Sequence, residues 1–361
     1  MSITKLTVNN VRIISHAKIN PCRGINLIYG TNAAGKTSLL EAIDCLSRGR
    51  SFRSSHLKDL ITHGQSQLVV AASVTVDQGR QIQLGIGKSN MGTNLRVQGK
   101  RPDSISELAS LLPVQVMHAN GPDLIQGSPK QRRSFIDWGV FHVKHNFLEL
   151  WRRYQKALVQ RNILLKQRMF LDTESFWQEE LASAATAIDE ARRSYLAGLA
   201  ADIQGFAQLL LNASDVKLDY YRGWSANHEL SDLLLRSLEK DIRKGFTSIG
   251  PHTADLQIQF GSKPASRIVS RGQNKMLVAT LRMAQISLFN RTAKRACIFL
   301  IDDLPSELDE SNQERFMRGL KKLKIQVFMT AITPDFLKAY DWEEQKLFHV
   351  KHGVIEELVK F

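Results

Sequence analysis

The chain has 361 residues, 43% of them hydrophobic, with a formal net charge of +14 and a pI of about 9.7. It is too long for one ordinary compact core and too apolar for wholesale disorder, so two lobes are expected. The cationic excess favours a polyanionic partner, because Lys and Arg beside phosphates release condensed counterions.

In chain order, residues 4 to 9 and 25 to 29 read as strands, and the N-terminal run alternates apolar and polar residues without the continuous apolar core of a secretory signal. The second strand leads through a Gly-rich turn into a helix over Lys36 to Leu46. Two alternating runs between 67 and 87, broken at Asp77-Gln78-Gly79, predict a hairpin. A short helix, a strand over Pro113 to Met117 and a Gly/Pro loop follow. From about 130 to 212 the pattern is helical, without the sustained heptad of a long coiled-coil arm. A strand over Val216 to Tyr221 and a helix over 228 to 244 come next, and strands resume from 253. A helix over 273 to 288, an apolar strand over Ala296 to Ile301, a helix near 311 to 322, a strand over Ile325 to Thr330 and two short strands complete the chain. The α/β material is therefore split by a helical insert. Expected boundaries are 1–125 and 251–361 for the α/β lobe and 126–250 for the mainly helical one.

Cys22, Cys45 and Cys297 are odd in number and far apart, which argues against a disulfide framework or a cysteine zinc site and fits a reducing cytoplasm. No run of about 18 uninterrupted apolar residues occurs, so no membrane span is expected. His142 with His145, and His349 with His352, have i, i+3 spacing but no nearby carboxylate or thiolate set, and read as ordinary histidines.

Four motifs carry chemistry. Gly30-Thr31-Asn32-Ala33-Ala34-Gly35-Lys36-Thr37, followed by Ser38, fits the Walker A pattern between a strand and a helix. Backbone N–H groups of such a loop cradle phosphates at the positive end of the helix dipole. Lys36 is expected on the β- and γ-phosphates and the Thr37 hydroxyl on Mg²⁺. Cys297 to Asp303 is an apolar strand ending in two carboxylates, the Walker B form, with Asp302 for Mg²⁺ and Asp303 to orient or deprotonate the attacking water. Ser270-Arg271-Gly272-Gln273 at a helix N-terminus is either an ordinary N-cap or an ABC-type signature. Ser306-Glu307-Leu308-Asp309 fits a D-loop.

Together with Gly127 to Trp138 and the stretch around Gly250-Pro251-His252, these motifs resemble the RecF family along essentially the whole chain. The resemblance implies an α/β, ABC/SMC-type P-loop ATPase head with an inserted helical second lobe. It implies a cytoplasmic protein that binds duplex DNA near single-stranded gaps, dimerises with ATP, hydrolyses ATP slowly, and works with RecR and RecO to load RecA. It assigns ATP contacts to the loop from Asn32 to Thr37, and makes Ser270, Arg271 and Gly272 the signature that closes over the partner's nucleotide. Gln115 is a Q-loop candidate, with a backbone-satisfied strand Gln as the rival. Thr330 is a switch candidate, with a plain strand Thr as the rival. Three departures stand out: Ala33 where the family usually has Gly, Thr253 where it usually has Arg, and the short Asp303 where transporters have Glu.

Of the basic clusters, Arg50 and Arg53 in one and Lys130, Arg132 and Arg133 in another adjoin the motifs and are the DNA-binding candidates; most such clusters are solvated faces. Two other classes compete. A membrane-transporter ATPase is disfavoured by Arg271, the helical insert and the charge. A structural DNA-binding protein with an inactive nucleotide site is kept open by Ala33 and Asp303.

Overall fold

The computed structural model describes every residue except 55, 77–78, 119–123, 168–173, 304–306, 339, 341 and 359–361. Two segments, Met1–Gly121 and Lys275–Phe361, form one compact unit, and Pro122–Asn274 form a second. The first segment carries β1 (Ser2–Val11), β2 (Ile14–Ile19), β3 (Ile25–Tyr29), α1 (Lys36–Arg48), α2 (Leu57–Leu60), β4 (Gln67–Thr75), β5 (Gln81–Ser89), β6 (Gly92–Val97), α3 (Ile105–Leu111) and β7 (Val114–His118). The second unit contains α4 (Pro129–Val143), α5 (Phe147–Gln167), α6 (Glu174–Leu211), β8 (Val216–Tyr221), α7 (Leu230–Arg236), α8 (Leu238–Lys244), β9 (Asp255–Phe260), β10 (Lys263–Pro264) and α9 (Ala265–Ile268). Then come α10 (Arg271–Ala293), β11 (Ile298–Asp302), α11 (Glu310–Leu323), β12 (Val327–Ala331), α12 (Asp335–Lys338), β13 (Gln345–Lys351) and β14 (Val354–Leu358).

The first unit holds two sheets. One has the order β14-β13-β3-β12-β11-β7, in which β13, β3, β12, β11 and β7 run parallel and β14 is antiparallel to β13. Every residue of β11 and β12 is buried, which explains their unbroken apolar runs. The other sheet, β2-β1-β4-β5-β6, is antiparallel and alternates buried and exposed residues, as a sheet with one wet face should. Leu39, Leu40, Ile43 and Leu46 of α1 share one apolar core with Leu6, Val8 and Val70 of this sheet and with Ile28, Leu300 and Phe328 of the parallel one. Sharing a core with both sheets leaves α1 almost no solvent face, and even Glu41 and Asp44 are buried there, paired with Arg12 and Arg48.

Three sequence expectations change. The hairpin over 67 to 87 gains a third strand, β6, whose exposed, weakly alternating residues gave no periodic signal. The helix over 228 to 244 breaks into α7 and α8 at Ser237. The boundary expected at 250 lies at Asn274, because β9 pairs with β8 in register from Val216↔Phe260 to Tyr221↔Asp255 and so belongs to the second unit. Among the described residues no helix is long and apolar enough to cross a membrane.

The second unit is tied by buried arginines. Arg161 donates to Asp241 (2.8 Å) and to Thr247 Oγ1 (2.7 Å), while Asp241 also accepts from the Ser248 hydroxyl and N–H. Arg192, fully buried, forks onto Asp137 (2.8 and 3.0 Å) and donates to the Pro251 carbonyl (2.9 Å). The Tyr154 hydroxyl lies 2.5 Å from Nδ1 of His252, whose Nε2 lies 3.0 Å from the Thr247 carbonyl. The Thr253 hydroxyl bonds the Gly250 carbonyl at 2.9 Å. The run from Thr247 to Thr253 is therefore a structural junction, and Thr253 is satisfied within it.

Arg161→Met would leave the Asp241 carboxylate, which is 0% exposed, without its cation. A loss of about 3–5 kcal/mol is expected, because a buried charge then lacks its partner. Urea unfolding checks this, and a loss below about 1 kcal/mol contradicts it.

Candidate functional site

The site forms at the C-terminal edge of the parallel sheet, where three strand ends align. Register places Thr330 of β12 opposite Ile28 of β3, and Ile301 of β11 opposite Met329 of β12. The loop from Gly30 to Gly35 leaves β3 at this edge and enters α1. Gly30 (φ 152°) passes so close to the Val350 carbonyl that a Cβ would lie 2.3 Å from it, which requires glycine. Ala33 has φ 61°, in the left-handed region, so the departure from Gly puts a side chain where the backbone disfavours one.

Lys36, 4% exposed, donates from Nζ to the carbonyls of Gly30 (2.9 Å) and Thr31 (3.1 Å), which fixes its ammonium beneath the loop. Thr37 Oγ1 bonds both oxygens of Asp302 (2.9 and 3.1 Å). Thr330, fully buried, bonds Asp302 Oδ1 at 2.9 Å and accepts the Asp303 N–H at 2.8 Å; its hydroxyl also lies 3.2 Å from Asp303 Oδ1. One hydroxyl thus connects both Walker B carboxylates. Burial pushes the Asp302 carboxyl above the ordinary range, opposed by the Thr37 and Thr330 bonds and reinforced by Asp303. Asp303 adopts φ 52°, which turns it out of the strand direction. A carboxylate and a hydroxyl converging in this way are a donor set suited to Mg²⁺, which favours oxygen ligands and takes one or two from protein when phosphates supply the rest.

A cavity of about 770 Å³ opens over the loop, lined by Asn32, Ala33, Ala34, Gly35, Lys36, Thr37, Ser38 and Asp303. The lining also includes Arg12, Ile13, Glu41 and Arg53, which sequence reasoning did not place there. Arg12 and Ile13 sit in the β1–β2 turn, and Arg12 forks onto Glu41 of α1 (3.0 and 2.8 Å). Ile13 is 47% exposed and supplies an apolar wall. Behind the loop stands the β13–β14 turn. Gly353 donates its N–H to the Ala34 carbonyl at 2.9 Å, and a Cβ on Gly353 (φ 79°) would lie 2.2 Å from the Ile13 carbonyl. His118, the last residue of β7, is in register with Asp302; burial, with Arg282, Arg53 and Arg48 nearby, pushes its imidazole down to about 4.

The other expected residues fall elsewhere. Gln115 is buried, but its amide donates to Gln285 (3.1 Å) and accepts from Arg282 (3.0 Å), both on α10, so it is neither backbone-satisfied nor on the cavity. Ser270 and Gln273, in the second unit, form a reciprocal capping box: Gln273 Oε1 accepts the Ser270 N–H (2.9 Å) and Ser270 Oγ accepts the Gln273 N–H (3.3 Å). Arg271 and Gly272 are the first two residues of α10. Asp309 caps α11, accepting the Asn312 N–H at 2.9 Å, and that bond keeps its carboxyl below the ordinary range. Ser306 lies outside the described residues, while Glu307 pairs with Lys275.

The DNA candidates need correction. Arg132 is engaged by Asp255 (2.7 and 2.9 Å) and by the Gly127 carbonyl (2.5 Å). Arg133 donates to the Ala254 carbonyl at 2.7 Å and is partly desolvated. Both hold α4 to the start of β9 and are not displayed for phosphate. Arg53 faces the loop cavity; Arg50 and Lys130 remain exposed.

Residues 2–356 match the model of the RecF/RecN/SMC N terminal domain family. The DNA replication and repair protein RecF of Pseudomonas syringae pv. syringae (strain B728a) is 39% identical, with 99% of this chain aligned to 98% of that protein. The protein of the same description from Pseudomonas paraeruginosa (strain DSM 24068 / PA7) is 40% identical over the same shares. Among solved structures, that of the recombination mediator protein RecF-ATP in the RecFOR pathway superposes with a TM-score of 0.89 at 26% identity, covering 99% of this chain and 98% of that one. The Smc head domain of Pyrococcus furiosus, at 17% identity and a TM-score of 0.58 over 99% of this chain and 96% of that one, shares the fold.

Two substitutions probe the loop. Ala33→Gly relieves the left-handed strain and should raise stability by about 1 kcal/mol, or about 2–4 °C in Tm. An unchanged or lower Tm contradicts this. Gly353→Ala forces the β13–β14 turn away from Ile13 and Ala34, and should weaken nucleotide binding about tenfold or more while circular dichroism stays native. A titration with a fluorescent ATP analogue reads the outcome.

Proposed function

The chain belongs to the RecF family, and from that membership and the loop geometry we propose that it is an ATPase of recombinational DNA repair and replication restart. One observation carries the ATPase assignment: Thr37, Asp302, Thr330 and Asp303 join in one hydrogen-bond network, and Lys36, Thr37 and Asp303 line one cavity over the loop. An ATP-binding relative of nearly identical extent supports the choice of nucleotide.

In this function the N–H groups of Asn32 to Thr37 bind the phosphates, and Lys36 neutralises the β- and γ-oxygens. Thr37 and Asp302 would hold Mg²⁺, which when bound would supply charge screening to the phosphoryl oxygens. Asp303 orients the attacking water and accepts its proton, and Thr330 fixes Asp303 by its backbone N–H. The short arm of Asp303 and its anchored backbone favour slow turnover. Ser270 and the Gly272 N–H of one protomer close on the γ-phosphate held by its partner, so ATP joins an isologous dimer. The protein binds duplex DNA near single-stranded gaps and acts with RecR and RecO to load RecA.

The test separates nucleotide binding from dimer closure. Lys36→Ala should lose ATP binding and ATP-dependent dimerisation, whereas Ser270→Arg should bind ATP but remain monomeric by sedimentation. Mixing the two variants restores one intact composite site and should recover part of the dimer. Ser270→Arg protein that dimerises normally with ATP removes the cross-subunit role, and Lys36→Ala protein with unchanged ATP affinity removes the ATPase reading itself.

A further inference from the structure

We propose that the wet face of the antiparallel sheet β2-β1-β4-β5-β6 is the surface that seats the phosphate backbone of duplex DNA. Its ligand class rests on the duplex-binding function proposed above. None of its five strands carries an Asp or a Glu. Lys5, Lys18 and Arg96 are exposed on them, and among the described residues no carboxylate pairs with any of the three. The arginines expected to meet DNA elsewhere are engaged by Asp255 and Ala254. This face therefore presents cations with no carboxylate on its own strands.

Register lines the face up. Lys18 lies opposite Thr7, Thr7 opposite Ala71, Ala71 opposite Gly85, and Gly85 opposite Arg96. A row of small residues thus crosses the sheet with a cation at each end, about 19 Å apart across four interstrand steps. The neighbouring row passes through Asn9, Val69 and Gly87 to Asn94. Together the rows floor a shallow depression of about 600 Å³ on the β4–β6 side. Glycine within a strand weakens it and often marks a site of close approach by another molecule. Gly85 has extended backbone, and a Cβ there would meet nothing nearer than 3.6 Å, so neither strain nor crowding demands a glycine.

The residue types decide between ligands. The five strands contain no Phe, Tyr or Trp, and the one imidazole on this face, His16, bonds Asn9 across the β1–β2 pair at 2.7 Å. Single-stranded nucleic acid uses large aromatic platforms for its bases, and protein docking uses clusters of large apolar anchors, against which the depression sets a single fully exposed one, Met91 in the β5–β6 turn. Neutral amides and hydroxyls between two cations instead suit phosphate and sugar oxygens, which position a duplex without reading its sequence. A small-residue floor lets the backbone descend between Lys18 and Arg96.

The experiment measures duplex affinity across a salt series for full-length protein with ATP. Lys18→Glu with Arg96→Glu should lower the slope of log K against log salt by about 2 and weaken binding about tenfold or more. Lys240→Glu with Arg243→Glu, the same charge change on exposed residues of the second unit, should leave the slope as it was. Gly85→Gln fills the depression without changing charge and should weaken binding with the slope retained. ATP affinity and Tm, measured on all variants, verify folding. Salt-dependent wild-type binding that neither the Lys18/Arg96 pair nor Gly85→Gln disturbs overturns the assignment of this face alone. Wild-type protein that does not bind duplex overturns the duplex-binding function as well.

Discussion

Parallel pairing of β12 with β3 on one side and β11 on the other decides where every group of the loop centre stands. Parallel strands bring their C-terminal ends to one edge, so the phosphate loop, the Thr330 hydroxyl and the two carboxylates arrive together although they lie about 300 residues apart. The pairing in turn requires β11 and β12 to be apolar throughout, since both are wholly buried. Thr330 is then the polar link at the end of a dry strand, and it survives burial because its hydroxyl donates to the Asp302 carboxylate and accepts the Asp303 N–H. Removing water around Asp302 raises its carboxyl, and the same dryness strengthens each bond that holds it.

The distribution of charge follows a different logic from its sum. Many of the arginines join elements rather than face solvent. Arg12 fastens the β1–β2 turn to α1, Arg132 fastens α4 to β9, and Arg161 and Arg192 fix the junction from Thr247 to Thr253. Each is matched by a carboxylate brought close only by folding. A cluster such as Lys130-Gln131-Arg132-Arg133 looks in sequence like a phosphate grip, yet two of its three cations point inward. The strands of the antiparallel sheet have few charges and drew no notice, but none of those charges is negative.

The loop motif, the paired acids and the chain positions of the surrounding strands were legible because each rests on local pattern: glycine spacing, apolar run length, a terminal acid. The left-handed conformation of Ala33 was foreseeable for the same reason, as a residue type out of place in a known turn. Arg12, Ile13 and Gly353 were not, because they reach the site through backbone contacts between turns remote in sequence. Gln115 misled in the opposite sense: its strand position suits a ligand, but its partners Arg282 and Gln285 come from a helix about 170 residues later. The boundary at 250 failed because the return of strand pattern marks a sheet without saying which sheet, and β9 joins β8.

The discontinuous make-up of the first unit has a consequence for synthesis. β3 leaves the ribosome early, yet both strands that flank it, β12 and β13, begin at Val327 and Gln345. At about 5–20 residues per second, the loop-bearing strand waits on the order of 15–60 s for its neighbours. Contacts of such sequence separation also carry a large loop-closure cost, which places them late on the folding route. The continuous stretch from Pro122 to Asn274 has every strand partner it needs long before then. A nascent chain therefore carries the strand that leads into the loop without either of its sheet neighbours until β12 and β13 have been made.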